Sequence, residues 1–452
     1  MVRLRTLRFV LTLALLAACS DAPRPDLARL YRMAGTDAAP VILIPGAFGS
    51  RLRDRDSGEE AWPGPWWRIL FSSYQNLVLQ FDAATLQAKP SKLEAHGVAE
   101  QVFGKDFYRP IVETLIRHGG YAPGVLGRPA AKGERRLYVF AYDWRQDNVA
   151  SARALHALID AIRRDYADPA LRVDLVAHSM GGLVARYYLR FGIRDVLDGM
   201  PQLVTMDGSA SVRKLVLLGT PNLGSAGSLH AFISGERVGL NRIAPRTLAT
   251  LPSGFQLFPH PLAHWLIGLD GMPRDEELFD AATWQRHGWS IFAPDAPAPD
   301  EVTRRLFAHH LERGRRMAWM LSVAEPVSPI RYVLFGGDCH LTPARLLVEP
   351  TDDGRDATRL MPEQIKAPRP GVNYEELMLE PGDGRVTKPS LLARETLDPS
   401  APQHEDSFLP LAYAFFLCAP HDTLTSNINF QDNLLNVLLT RHLPWEGRGE
   451  RP

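Results

Sequence analysis

Arg172-Val173-Asp174-Leu175-Val176-Ala177-His178-Ser179-Met180-Gly181-Gly182-Leu183 is the stretch on which the fold turns. Arg172 to Ala177 reads as a strand, His178 to Gly182 as a turn, and Leu183 to Phe191 as a helix that stops at Gly192. A serine between small residues at a strand-to-helix junction is a nucleophile elbow. The tight turn lifts the hydroxyl clear of the sheet. The residues two before and two after must be small because their backbones nearly touch, and here they are Ala177 and Gly181. Alanine departs from the strict G-x-S-x-G form yet still meets the steric demand. Ser179 is therefore the candidate nucleophile.

The same rhythm extends along the chain. Val41 to Ile44, Leu137 to Phe140, Val173 to Ala177, Leu215 to Leu218, Ile330 to Phe335 and Leu409 to Phe416 are short apolar runs closed by glycine, proline or polar turns. Most precede helical pattern, as where Leu155, Leu158, Ile159 and Ile162 recur at helical spacing. Continuous apolar strands alternating with helices imply an α/β fold, its mostly parallel sheet covered on both faces. Two stretches break the pattern. Residues 225–325 show no strong strand but carry Trp265, Trp284, Trp289 and Trp319, which predicts a helical cap over a core spanning 38–224 and 326–445. Residues 58–81 include Trp62, Trp66, Trp67, Phe71 and Tyr74. These rings either pack on the core or form a membrane-binding segment, because amphipathic rings settle at the headgroup level. Pro294 to Pro299 and Glu349 to Gly371 read as loops.

An elbow serine needs a base, and the base needs an orienting acid. In such folds the chain order is serine, acid, histidine, with the histidine in a loop after the last strand. Of 14 histidines, His421 fits, following Phe416-Leu417-Cys418 and preceding a helix that starts near Asn427. His404 lies before that strand and His442 after the helix. For the acid, Gly382-Asp383-Gly384-Arg385-Val386 sets Asp383 in a turn whose glycines permit close approach. Asp338, behind Gly336-Gly337, is the rival. The developing oxyanion needs two backbone donors. The Met180 amide is one. The strand Val41-Ile42-Leu43-Ile44 enters Pro45-Gly46-Ala47-Phe48-Gly49, which nominates the Phe48 amide as the other.

At 45% hydrophobic and 23% charged, the 452 residues are those of an ordinary globular chain. Arg3, Arg5 and Arg8 precede an apolar run from Phe9 to Ala18, and then comes Cys19. Residues 1–18 read as a signal peptide, with Cys19 as the lipidated first residue of an exported lipoprotein held at the periplasmic face of the envelope, and 19–37 as a tether. Lys plus Arg equals Asp plus Glu at 51 each, and removing 1–18 takes away three arginines, for a net charge of about −3. That balance excludes a nucleic-acid footprint. Three cysteines exclude a four-thiolate zinc site, and no H-E-x-x-H spacing occurs, so neither metal nor other cofactor is expected. In an oxidising compartment Cys339 and Cys418 either pair or stay as separate thiols, and both readings remain open.

Pro40 to Leu52, Tyr142-Asp143-Trp144-Arg145, Ala177 to Val184, Gly219 to Gly224, Gly382 to Val386 and His421 with the helix after it resemble, in order, the lecithin:cholesterol acyltransferase (LCAT) family. The resemblance implies an α/β-hydrolase fold with a cap and a small membrane-binding subdomain. It implies a triad of Ser179, Asp383 and His421, with the Phe48 and Met180 amides as the oxyanion hole. The implied activity is that of a lipase, phospholipase or O-acyltransferase working through an acyl-serine on lipid acyl esters, with a lipid alcohol as the acceptor in the transferase case. Tyr142 to Arg145 is expected to brace a loop through an Asp143–Arg145 contact. Residues 58 to 81 lack the cysteine that staples the membrane-binding segment in animal members. The alternative is an inactive lipid-binding envelope lipoprotein on a hydrolase scaffold.

Overall fold

The computed structural model describes residues 24–31, 39–65, 72–102, 105–199, 203–326, 330–352, 356–405 and 407–440. The segment 1–18 expected to be a signal peptide and Cys19 lie outside the described residues, as do Trp66, Trp67 and Phe71. Seven strands form the central sheet: β1 (Val41–Ile44), β2 (Ala122–Pro123), β3 (Arg136–Val139), β4 (Val173–His178), β5 (Val212–Leu218), β6 (Arg331–Gly337) and β7 (Leu411–Leu417). Their order is β7-β6-β5-β4-β1-β3-β2, and every pairing is parallel. The principal helices are α1 (Arg109–Arg117), α2 (Asn148–Asp165), α3 (Met180–Phe191), α4 (Ala226–Ser234), α5 (Glu301–Ser322) and α6 (Ile428–Leu439). This is an α/β-hydrolase arrangement.

Alternation along each strand sorts side chains between two layers. Ile42, Ile44, Leu175, Ala177, Leu215 and Leu217 cluster with α2 and α3. Val41, Leu43, Val176, Val216 and Leu218 cluster instead with Ile111 and Leu115 of α1 and Leu434 and Leu435 of α6. Because both faces are covered, the strands have no polar side to alternate, and each buried aliphatic side chain contributes about 1.5–3 kcal/mol. The register sets Ala177 against Ile44 and His178 against Leu218. The elbow thus leaves the sheet between two neighbours that can support it.

The covering segment differs from its sequence reading. Residues 225–325 hold α4 and α5 but also a hairpin, Glu236–Val238 with Asn241–Ile243, and a strand, Leu266–Gly268, that pairs in parallel with Leu346–Val348. Glu349 to Gly371 is not all loop, since Asp356–Arg359 pairs antiparallel with Leu346–Pro350. Strands of three or four residues are too short to show a period, and their partners lie far along the chain. Arg313 of α5 fastens the segment to the core, reaching Asp147 at 2.8 Å, Asp195 at 3.0 Å and Asp198 at 2.9 Å.

Trp62 and Tyr74 are buried, their rings 5.2 Å apart, so these two belong to the core and not to a membrane-facing surface. The tether expected over 19–37 is interrupted, because Leu27–Leu30 forms a helical turn, Leu27 is buried and the Tyr31 hydroxyl donates to Asp432 Oδ1 at 2.7 Å. Cys339 and Cys418 are joined by a disulfide that ties the ends of β6 and β7 together across a sequence separation of 79. Closing a loop of that length is worth about 4 kcal/mol in the chain-entropy account. Among the described residues no helix is long and apolar enough to cross a membrane.

Candidate active site

Ser179 follows β4 directly and has φ 53° and ψ −126°, a backbone conformation that few residues with a side chain adopt. Neighbouring backbone holds it there: its N–H donates to Leu218 O at 2.7 Å, and its carbonyl accepts from Gly182 N at 2.9 Å. A Cβ on Gly181 would lie 2.5 Å from Pro45 O, and one on Gly46 would lie 2.6 Å from Ser179 Cβ. The steric demand at Gly181 is therefore real, and it extends to Gly46 on the facing loop.

Asp383 Oδ2 accepts from His421 Nδ1 at 2.8 Å, and the His421 N–H donates to Asp383 O at 2.9 Å. The other carboxylate oxygen accepts from Arg385 N at 2.9 Å and Val386 N at 2.7 Å. Burial opposes the Asp383 charge, but His421 and the two amides outweigh it and hold the carboxyl below its ordinary value. With Nδ1 engaged, Nε2 is the ring nitrogen left for a proton transfer. Asp338, the rival acid, pairs instead with Lys388 at 2.7 Å. Gly219, at φ 57°, lets the pair approach, since a Cβ there would sit 2.9 Å from His421 Nδ1.

Phe48 also has positive φ, 60°, which turns the loop after β1 toward Ser179. Its carbonyl accepts from Trp62 Nε1 at 2.8 Å, and its ring packs 5.1 Å from Trp62 and 4.4 Å from Trp144. Among the described residues no backbone carbonyl takes up the Phe48 or Met180 N–H. The Tyr142 hydroxyl donates to Pro45 O at 2.9 Å, and buried Arg145 binds Asp143 through Nε and a terminal nitrogen, both at 2.8 Å. The Tyr142 to Arg145 segment thus reaches the Phe48 loop through Tyr142, while the expected Asp143–Arg145 contact forms within the segment itself.

Ser179, His421 and Phe48 line one cavity of about 240 Å³, with Trp62, Val238 and Leu257 as apolar walls and Glu236, Arg237 and Arg385 among its polar lining. A second cavity of about 60 Å³, walled by Trp144, Phe232, Leu248 and Leu251, shares Phe48 and Leu257 with the first. No hydrogen bond joins Ser179 Oγ to His421 among the described residues. Such bonds are commonly long before substrate binds. Trp62 and Tyr108, which also line the cavity, escaped the sequence reading as site residues because nothing in their local pattern separates them from core aromatics.

Residues 131–287 match the family model described as lecithin:cholesterol acyltransferase. The chain is LCAT-like over this stretch. The match takes in the elbow and the Gly219–Gly224 segment, while Asp383 and His421 lie beyond it. Its fold is similar to that in the crystal structure of the Tle4–Tli4 complex, at 16% identity, covering 90% of this chain and 98% of that one, with a TM-score of 0.56. Looser likenesses include the mature lipase BlEst2 of Bacillus licheniformis, at 12% identity over 93% and 96% of the two chains with a TM-score of 0.34. Another is the Staphylococcus hyicus lipase, at 13% over 93% and 98% with a TM-score of 0.32. No curated protein matches the chain by sequence.

Proposed function

We propose that the chain is a serine-dependent lipid acyl-ester hydrolase or O-acyltransferase working through an acyl-serine. His421 Nε2 takes the hydroxyl proton of Ser179 as Oγ attacks the ester carbonyl. The oxyanion is received by the Phe48 and Met180 amides, and Asp383 stabilises the imidazolium. His421 then returns the proton to the leaving alcohol oxygen as the ester C–O bond breaks. Water cleaves the acyl-serine in a hydrolase, and a lipid alcohol takes the acyl group in a transferase.

One observation carries the reading: the 2.8 Å Asp383–His421 pair opens onto the same cavity as the strained, half-buried turn of Ser179. The LCAT-like match supports acyl chemistry on lipids. Two mainly apolar cavities meeting at Phe48 suit an acyl chain better than a polar acyl donor. The test is incubation with phospholipid vesicles containing cholesterol, followed by mass spectrometry. Free fatty acid marks a hydrolase and steryl ester a transferase, and either must vanish in Ser179→Ala. Vesicle binding with no product, or product unchanged in Ser179→Ala, overturns the proposal.

Export and anchoring at Cys19 belong to the same proposal, since a tethered enzyme meets its lipids at the envelope surface. Metabolic labelling with a radioactive fatty acid should mark the wild type and not Cys19→Ala. Equal labelling of both would remove the anchor from the account.

A further inference from the structure

His178 and Tyr108 form a chain of hydrogen bonds beside the site that the mechanism above does not use. The Gly46 N–H, at the start of the Phe48 loop, donates to the Tyr108 hydroxyl oxygen at 2.9 Å. That hydroxyl lies 2.8 Å from His178 Nδ1, and His178 Nε2 lies 3.2 Å from the backbone carbonyl of His421. The rings are packed as well, His178 against Tyr108 at 5.5 Å and against His421 at 4.8 Å. Both residues are buried, with 3% exposure for Tyr108 and 6% for His178.

The proton inventory gives this chain a single polarity. A backbone N–H can only donate, so the Tyr108 oxygen accepts from Gly46, and a backbone carbonyl can only accept, so the single ring proton of neutral His178 faces His421 O and the Tyr108 hydrogen goes to Nδ1. Nδ1 is then an acceptor, Nε2 bears the ring proton, and that proton is donated to His421 O. Burial first, and the nearby His421 second, push the His178 imidazole down to about 3, so the neutral tautomer persists across the working range. The His421 turn is otherwise held from the Asp383 side, at its own N–H and at Nδ1. The bond from His178 ties it to the other side, to the residue that precedes Ser179.

We propose that Tyr108 and His178 are positioning residues that lock the oxyanion loop, the nucleophile strand and the His421 turn into one register. They touch no reacting atom. They act by holding the Phe48 amide, Ser179 Oγ and His421 Nε2 at working distances, and a misplacement of about 1 Å at such a site is worth roughly a hundredfold in rate. The close fit leaves little slack, since a Cβ on Gly49 would lie 2.9 Å from the Tyr108 hydroxyl.

This inference rests on Ser179 being the nucleophile, and its test separates the two claims. Full-length protein is reacted with a fluorophosphonate, which needs an activated serine but no lipid substrate, and the limiting rate and half-saturation are measured apart. An unlabelled wild type would refute the nucleophile reading itself. With the wild type labelled, Tyr108→Phe should lower the limiting rate about ten- to a hundredfold and leave half-saturation near the wild-type value. His178→Leu should do the same, while His178→Gln, which keeps a donor for His421 O, should recover part of the loss. The double variant Tyr108→Phe/His178→Leu should be little worse than either single one, because both cut the same chain. Folded single variants that label at the wild-type rate, or losses that simply multiply in the double variant, would overturn the inference.

Discussion

From Val173 to Phe191 every residue is buried except Ser179. Along the helix Glu301–Ser322 that covers this core, buried and exposed positions alternate, and the buried set includes His310 and Arg313. The first region is held mainly by apolar burial, which has no direction and no dependence on protonation, with buried Asp174, Arg186 and Arg190 each given a polar partner. The second is held by an arginine shared among three aspartates and by aromatic packing around a histidine whose two ring nitrogens have no hydrogen-bond partner among the described residues. A rigid, apolar body can keep one serine in a strained turn. A cover fastened by specific polar contacts is the part that opens first, and its buried His310 adds to a pH dependence that buried His178 also carries.

The largest effect should come where the rigid body presents its chemistry. Asp383→Asn should lower turnover about 10⁴-fold, the loss typical when a triad acid can no longer fix the histidine tautomer. The unfolding midpoint should stay near wild type, and Asp338→Asn should retain activity, because Asp338 serves Lys388. Comparable losses from both variants would mean that the acid is misassigned.

Next in size is the fastening of the cover. Arg313→Ala leaves Asp147, Asp195 and Asp198 without their shared cation, and because Asp147 is only 16% exposed while Asp198, at 55%, is screened by water, the loss should be about 3 kcal/mol. Hydrogen exchange should show residues 301–322 losing protection while β4 and β5 keep theirs. Gly181→Ala probes the opposite region. Its Cβ would press on Pro45 O at 2.5 Å, so about 2 kcal/mol should be lost, with sheet and cover deprotected together. If Arg313→Ala also unfolded the sheet, the two regions would be one cooperative unit and the contrast would fail.

The smallest effect is one of slope. Burial, with His309 nearby, pushes the His310 imidazole down to about 3. Between that value and the ordinary 6.5 the unfolded chain binds a proton that the native state refuses, so stability falls as pH falls through this window. The slope from one such histidine reaches about 1.4 kcal/mol per pH unit. His310→Leu should flatten the decline in denaturant-measured stability between pH 6 and pH 4. An unchanged slope would show that His310 does not titrate as its surroundings dictate.

The same contrast decides what could be read from the sequence. The strands of the sheet announce themselves because double-sided burial makes each a continuous apolar run, and the elbow is legible because its turn demands small residues at fixed offsets. Asp383 and His421 follow from chain order and glycine-flanked turns, and their 2.8 Å contact fits that reading. The strands at Glu236–Val238, Leu266–Gly268 and Asp356–Arg359 were invisible because three or four residues carry no period and their pairing is long-range. Tyr108 was invisible for a related reason: its partner His178 is 70 residues away, and nothing local distinguishes it from a core tyrosine. The sequence leaves the disulfide open because pairing depends on geometry, and the ends of β6 and β7 supply it at a Cα separation of 5.1 Å.

The central claim is that residue 179 is the nucleophile and His421 its base. Mass spectrometry of the peptide spanning the elbow, after reaction of the folded protein with an excess of fluorophosphonate, measures this directly. The account predicts one adduct per chain on Ser179, none in Ser179→Ala and almost none in His421→Ala. A wild-type elbow peptide that stays unmodified, or an adduct that forms equally well without His421, would contradict it.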